Sequence, residues 1–286
     1  MKPEKSPHIG ALTKLADSHK PPASLTRRNF GKAALGASAA LLLPGNSLGL
    51  EQDRSPQLST SAVKNVVLVH GAFADGSSWS RVIPLLEAKG FQVTAVQNPL
   101  TSFPEDVETT SRFLAAQSGP VILVGHSYAG MVITEAGNAP NVAGLVYVSS
   151  YGPAEGESHD DLVKRYFPPA ALSAIRKDDN GFLWIVRDRF QETFAHDVDL
   201  PQARLMAAVQ KPLAKKCFAA PVGVPAWKSK PSAFLISEDD RLVNPELQYF
   251  MAKRMGAAAQ SVPSSHASLV SHPDAVAKQI AEIANR

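Results

Sequence analysis

The chain has a single cysteine, Cys217, so no intramolecular disulfide can form whatever compartment it works in. Long hydrophobic runs are missing too. The longest candidate, residues 33–43, falls short of the roughly 20 apolar residues that span a bilayer and is rich in small side chains. Charged residues make up only 19% of the 286, against 44% hydrophobic, which excludes a solvated, disordered chain and provides for a substantial core. His8, His126, His159, His196 and His272 show none of the short two-histidine spacings that a zinc site on one element uses. No metal and no cofactor is expected. Basic charge is confined to one end: residues 1–49 hold seven Lys or Arg against two Asp or Glu, a net +5 within a formal total of +3. The remainder is therefore near −2, which leaves no basic patch for a nucleic-acid partner.

What the basic end does contain is Thr26-Arg27-Arg28-Asn29-Phe30-Gly31-Lys32, directly before the mildly apolar run. Paired arginines, Phe and Lys in this order resemble a twin-arginine export signal. Positive charge stays on the cytoplasmic side while the apolar segment enters the membrane region. Gly31 departs from the pattern, standing where such signals usually carry a larger apolar residue. Ser47-Leu48-Gly49 is a small-x-small site at which cleavage is expected, and no Cys is present there to carry a lipid anchor. The resemblance implies the twin-arginine export machinery as a partner and a periplasmic or secreted location. That route carries folded proteins, which suits a chain without disulfides. Residues 50–64 read as a polar linker, and residues 65–286 as the domain.

Within the domain, Val66-Val67-Leu68-Val69 is an apolar run of the kind found in strands buried on both faces. Similar runs recur at residues 121–124, 143–148 and 233–236, with a looser candidate at 91–96. Helix-like stretches lie between them, at about 77–89, 104–117, 128–138, 245–255 and 273–285. Strands alternating with helices imply a mostly parallel sheet with helices on both faces, joined by right-handed crossovers. Little chain precedes residue 65, so a compact α/β fold is expected. The alternation fails over residues 151–225, where helical patterns and clustered prolines appear without an obvious strand. An insertion between two strands at their carboxyl ends sits over the ligand crevice, so this interval is expected to be a helical cap. Its aromatics Tyr166, Phe167, Phe182, Trp184, Phe190 and Phe194 are candidates for an apolar pocket or for packing against the core.

The run at 121–124 leads into Gly125-His126-Ser127-Tyr128-Ala129-Gly130. Ser127 sits in Gly-x-Ser-x-small, with Ala129 in the fifth position and a glycine one residue later. Such a tight strand-to-helix turn lifts a serine hydroxyl above the sheet as a nucleophile. His126 is expected to pack or hydrogen-bond locally. His70-Gly71-Ala72 follows the first run, and Ser237-Glu238-Asp239-Asp240 follows the run at 233–236. His266 lies in Ser264-Ser265-His266-Ala267-Ser268, before the last helix. A carboxylate beside a histidine holds the imidazole tautomer that a serine nucleophile needs. The order Ser, Asp, His is the one the α/β-hydrolase arrangement uses. Asp239 and Asp240 are adjacent, and Glu155 or Glu157 would be the alternatives after the preceding strand.

From Val66 to the C-terminus the sequence is similar to the α/β-hydrolase superfamily. Its motifs stand nearest the branch of small-molecule esterases, plant methylesterases and hydroxynitrile lyases. The motifs are His-Gly-Ala-Phe, Gly-His-Ser-Tyr-Ala-Gly and Ser-His-Ala-Ser. The resemblance implies Ser127, Asp240 and His266 as a catalytic triad, and the backbone N–H groups of Ala72 and Tyr128 as oxyanion donors. Lyases of that branch carry Thr and Lys where this chain has Gly71 and Ala267, which leaves no cation for a departing cyanide and favours hydrolysis of a small ester or lactone. The alternatives on the same scaffold are a cofactor-independent lyase or perhydrolase, and a ligand-binding protein that retains the triad.

Overall fold

The computed structural model describes residues 63–166 and 169–286. The expected export signal at 1–49 and nearly all of the linker at 50–64 lie outside the described residues, as does Phe167.

Six strands form the main sheet: β1 (Asn65–Val69), β2 (Gln92–Val96), β3 (Val121–His126), β4 (Val142–Val148), and, beyond an insertion, β8 (Ser232–Ser237) and β9 (Ala258–Val262). Their order is β2-β1-β3-β4-β8-β9, and every neighbouring pair is parallel. β1 and β3 are buried at every residue, as central strands covered on both faces must be. β9 is an edge strand of Ala258-Ala259-Gln260-Ser261-Val262 whose burial alternates, so it lacks the apolar run that marks the others.

Right-handed crossovers decide which face each helix takes. α1 (Ile83–Glu87) connects β1 to β2 in one direction across the sheet. α2 (Phe103–Ala115), α3 (Ala129–Ala136) and α8 (Pro245–Met255) precede β3, β4 and β9 in the other direction. Accordingly α2 packs on α3, and α1 packs on the C-terminal α10 (Pro273–Ala284). The ends of α8 follow from its residues. The Asn244 side chain accepts from the Glu246 N–H, Pro245 occupies the first turn, and Gly256 closes the helix at φ +62. The stretch expected as one helix over 77–89 is two pieces, a 3₁₀ turn at Gly76–Trp79 and then α1. Pro84 has no N–H and fits only a first turn, so the helix cannot run into it from upstream.

Between β4 and β8 the chain leaves the main sheet. This interval carries α4 (His159–Val163), α5 (Phe190–Phe194), α6 (Leu200–Val209) and α7 (Lys216–Ala219). It also carries three strands that sequence patterning does not reveal: β5 (Ile175–Lys177), β6 (Phe182–Ile185) and β7 (Leu213–Ala214), paired antiparallel in a separate sheet. They are too short to show periodicity. A further short helix, α9 (Ser268–Ser271), lies between β9 and α10.

Candidate active site

The strand order brings the loops after β1 and β3 side by side, because those strands are neighbours and parallel. Their carboxyl ends carry Ala72 and Ser127. The carboxyl ends of β8 and β9 carry Asp240 and His266. All four therefore meet at one edge of the sheet, where α/β folds place their ligands.

Ser127 turns the chain from β3 into α3 with φ +56, a left-handed conformation that costs a non-glycine residue about 1–3 kcal/mol. The surroundings hold it there. Its carbonyl accepts from the N–H groups of Gly130 and Tyr151 and from the Ser150 hydroxyl, and its own N–H donates to the Val148 carbonyl. Small residues on both sides of the turn are a steric requirement. A Cβ on Gly130 would lie 1.9 Å from the Tyr151 carbonyl oxygen, and one on Gly71 would lie 2.7 Å from Ser127 Cβ. The glycine one residue beyond the five-residue motif is thus needed for packing against the loop after β4.

The Ser127 hydroxyl is 2.8 Å from His266 Nε2, and His266 Nδ1 is 2.8 Å from Asp240 Oδ2. A carboxylate only accepts, so Nδ1 carries the proton and Nε2 offers its lone pair to the serine. Asp240 is fully committed as an acceptor. Oδ1 takes the N–H groups of Leu242 and Val243, and Oδ2 also takes Gln248 Nε2 at 2.9 Å. Asp239 is exposed, with its N–H donating to the Ser264 carbonyl and its own carbonyl facing His196 Nε2. Glu155 pairs with Lys228, and Glu157 with Arg165 and Arg254, so neither approaches the imidazole.

The N–H groups of Ala72 and Tyr128 have no hydrogen-bond partner among the described residues, and both residues line the cavity in front of Ser127. Tyr128 is anchored from behind. Its hydroxyl donates to Asp106 Oδ2 at 2.9 Å, while Asp106 Oδ1 accepts the Leu100 N–H at 2.8 Å. Burial pushes the Asp106 carboxyl up to about 6, against the pull of those two hydrogen bonds. Burial also pushes the Cys217 thiol beside it up to about 12, so that cysteine is a packed, protonated residue.

Further residues support the triad from around it. His126 is buried under the site, where Nε2 donates to the His266 carbonyl at 2.9 Å and the ring lies 4.7 Å from the His266 ring. Burial and the neighbouring imidazoles hold it neutral, well below the usual histidine range. It packs, as expected from the sequence, but its hydrogen bond reaches a residue 140 positions away and is not a local one. His70 is likewise neutral, lowered to about 4 by burial, with Nδ1–H on the Gly71 carbonyl and Nε2 accepting the Asn98 N–H. Gln248 has one sequence signal, a polar residue among Leu247, Met251, Ala252 and Met255 on the buried face of α8. Asp197, whose Oδ2 accepts the Ser265 N–H, has none. A buried hydroxyl cluster lies beneath the triad. Ser149 Oγ is 2.7 Å from both Ser237 Oγ and Ser268 Oγ, and Ser264 Oγ donates to Ser237 Oγ at 2.8 Å.

A cavity of about 310 Å³ opens on Ser127 and His266, walled by apolar side chains both of the interval between β4 and β8 and of the loops after β1 and β8. A second cavity of about 200 Å³ lies beyond Phe73 and is lined by Phe190 and Phe194. Of the cap aromatics singled out from the sequence, only these two line either cavity among the described residues. Tyr166 and Phe182 pack against the core, and Trp184, on the face of β6 opposite the buried Ile185, is 46% exposed. No group of described residues is arranged to hold a metal ion.

A buried Ser–His–Asp relay at the carboxyl ends of parallel strands, with its members in the chain order Ser, Asp, His, is the α/β-hydrolase arrangement. The chain belongs to the alpha/beta hydrolase family, whose sequence model matches residues 66–279. A pyrethroid hydrolase of Sphingobium wenxiniae is 30% identical over 258 residues, which cover 78% of this chain and 88% of that protein. A carbendazim hydrolyzing esterase of a Nocardioides species is 36% identical over a shorter stretch, 37% of this chain and 49% of that one. Among solved structures, a pyrethroid hydrolase from Sphingobium faniae superposes with a TM-score of 0.66 at 25% identity, covering 78% of this chain and 97% of the other.

Proposed function

We propose that this protein hydrolyses a small carboxylic ester or lactone through an acyl-enzyme intermediate, with Ser127 as nucleophile, His266 as general base and acid, and Asp240 orienting the imidazole. The observation that carries the proposal is the relay of two 2.8 Å contacts from Ser127 Oγ through His266 to Asp240, with two free N–H groups beside the serine. His266 Nε2 accepts the serine proton as Oγ attacks the carbonyl carbon. The negative charge on the carbonyl oxygen is met by the Ala72 and Tyr128 N–H groups. The imidazolium returns its proton to the departing alkoxide, and a water deprotonated by His266 then releases the acid and restores the serine. The hydrolase and esterase names of the relatives support the same chemistry.

Replacing Ser127 by alanine is the direct test. We expect kcat on p-nitrophenyl acetate to fall by about 10⁵-fold or more, with Tm nearly unchanged. Turnover by the variant within about a hundredfold of wild type would remove Ser127 as nucleophile. Absence of turnover in the wild type across alkyl esters and lactones would favour the ligand-binding alternative.

For delivery, we propose export through the twin-arginine machinery to the periplasm or beyond, on the strength of Arg27-Arg28 and the apolar run that follows. No described helix is long and apolar enough to cross a membrane.

A further inference from the structure

The cavity in front of Ser127 is mostly apolar, with walls that include Phe73, Leu172, Ile175 and Val243, yet besides Tyr128, whose hydroxyl is committed to Asp106, two polar side chains outside the triad line it: Tyr151 and His159. Both are fixed in place. The Tyr151 N–H donates to the Ser127 carbonyl at 3.2 Å, so the residue is tied to the nucleophile's own turn. His159 is the first residue of α4, which begins in a capping box between Ser158 and Asp161. Its ring stacks on Phe218 at 3.8 Å and 15°, and the Tyr151 ring meets it edge-on at 4.6 Å and 69°.

The hydrogen bonding of the pair is incomplete. His159 Nδ1 is 3.2 Å from Asp160 Oδ1. The carboxylate only accepts, so Nδ1 carries the proton and Nε2 is left with an open lone pair. Burial lowers the basicity of this histidine, which favours the neutral ring. Neither Nε2 nor the Tyr151 hydroxyl has a hydrogen-bond partner among the described residues. The buried polar atoms that are both unpaired and sealed from solvent are elsewhere, for example Trp79 Nε1, Asn98 Nδ2 and His126 Nδ1. Both atoms of the pair therefore keep open space in front of them. A phenol that can donate stands beside an imidazole nitrogen that can only accept, on an otherwise apolar wall. Leaving such groups without partners once a ligand has displaced water is unfavourable.

We infer that Tyr151 and His159 form a recognition pair for a substrate hydroxyl, which accepts from the tyrosine and donates to His159 Nε2, so that the preferred substrates are hydroxy-substituted esters. This inference rests on the hydrolase reading above and adds the substrate class. The hydroxyl can sit on the acyl or on the alcohol side, and two isosteric pairs of esters separate these. The acyl side is read with p-nitrophenyl 3-hydroxybutyrate against p-nitrophenyl 3-methylbutyrate, and the alcohol side with 2-hydroxyethyl butyrate against propyl butyrate.

In one pair the hydroxy ester should have a kcat/KM at least about tenfold above its alkyl isostere, because the alkyl compound strands the polar pair. Tyr151→Phe, which removes one oxygen, and His159→Phe, which keeps a flat ring against Phe218, should each bring that ratio down toward 1. Ser127→Ala should abolish turnover of all four esters alike. A wild-type ratio near 1 in both pairs, with all four esters turned over, would overturn the recognition pair and leave the hydrolase reading standing. A preserved ratio in both variants, with rates falling in proportion, would show a purely structural role and overturn it as well. No turnover of any of the four would sink the hydrolase reading and this inference together.

Discussion

Replacement of Asp240 by asparagine changes one atom, and the surroundings dictate how the protein must respond. The Leu242 and Val243 N–H groups at 2.8 and 2.9 Å require an oxygen at the Oδ1 position, so the new amide nitrogen takes the place of Oδ2. There it meets two donors, Gln248 Nε2 and His266 Nδ1–H. Gln248 cannot relieve the conflict by turning its amide over. Its Oε1 accepts the Ser237 N–H and its Nε2 also donates to the Val243 carbonyl, and a flip would break both contacts. The histidine must yield instead by moving its proton to Nε2. In that tautomer the ring donates to Ser127 and cannot take its proton. The expected loss in kcat is about 10⁴-fold, on the scale of a triad Asp-to-Asn change, which corresponds to about 5 kcal/mol in the barrier. The clash with Gln248 adds a stability cost of about 1–3 kcal/mol, visible as a Tm lowered by several degrees. Asp239→Asn is the control. Its side chain is exposed and its contacts are made by the main chain, so kcat should stay within about twofold. Saturating p-nitrophenyl acetate kinetics with a thermal melt on each variant reads both effects. An Asp240→Asn enzyme within tenfold of wild type, or a larger loss from Asp239→Asn, would refute the reasoning.

Asp106→Asn keeps an acceptor for the Leu100 N–H and a polar group for the Tyr128 hydroxyl, while removing a carboxylate that burial disfavours when charged. With a folded-state value near 6 against an ordinary 3.8, wild type loses this group's contribution as pH rises from about 4 through 6. The variant should therefore melt higher than wild type at pH 8, with the gap closing toward pH 4; a gap independent of pH would exclude Asp106 as its source. Replacing Arg27 and Arg28 together by lysine should retain the protein in the cytoplasm, folded and active, as read by cell fractionation and an esterase assay. A periplasmic location for that variant would point to another route.

Legibility in the sequence followed burial. Strands β1, β3, β4 and β8 sit between two layers of helices and read as unbroken apolar runs, whereas β9 at the sheet edge carries Gln260 and Ser261 and does not. The insertion was visible as a break in alternation, but its small sheet was not, since strands of two to four residues leave no period to detect. Ser127 was marked by its turn after an apolar run, and His266 by its place just before the last helix. Between Asp239 and Asp240 sequence could offer only a spacing resemblance. The turn after β8 separates them, burying one carboxylate beside Gln248 and leaving the other in solvent. The supports assembled by distant segments, His126 under the His266 carbonyl and Asp197 on the Ser265 N–H, show no pattern in one dimension because their partners lie 140 and 68 residues away.

The buried hydroxyl cluster ties the behaviour of the site to that of its scaffold. Ser149 directly follows β4, next to the loop that holds the nucleophile's turn, Ser237 precedes the acid, and Ser264 and Ser268 bracket the histidine. These segments share one short chain of hydrogen bonds that has no access to water. None of the three loops can drift by itself without stranding a hydroxyl in the interior. Loss of activity on heating or in denaturant should therefore be all-or-none, coinciding with loss of the main sheet and not preceding it as a softening of the site. By the same coupling, drift in this region is collective: a change at any of the four serines is felt by nucleophile, base and acid at once.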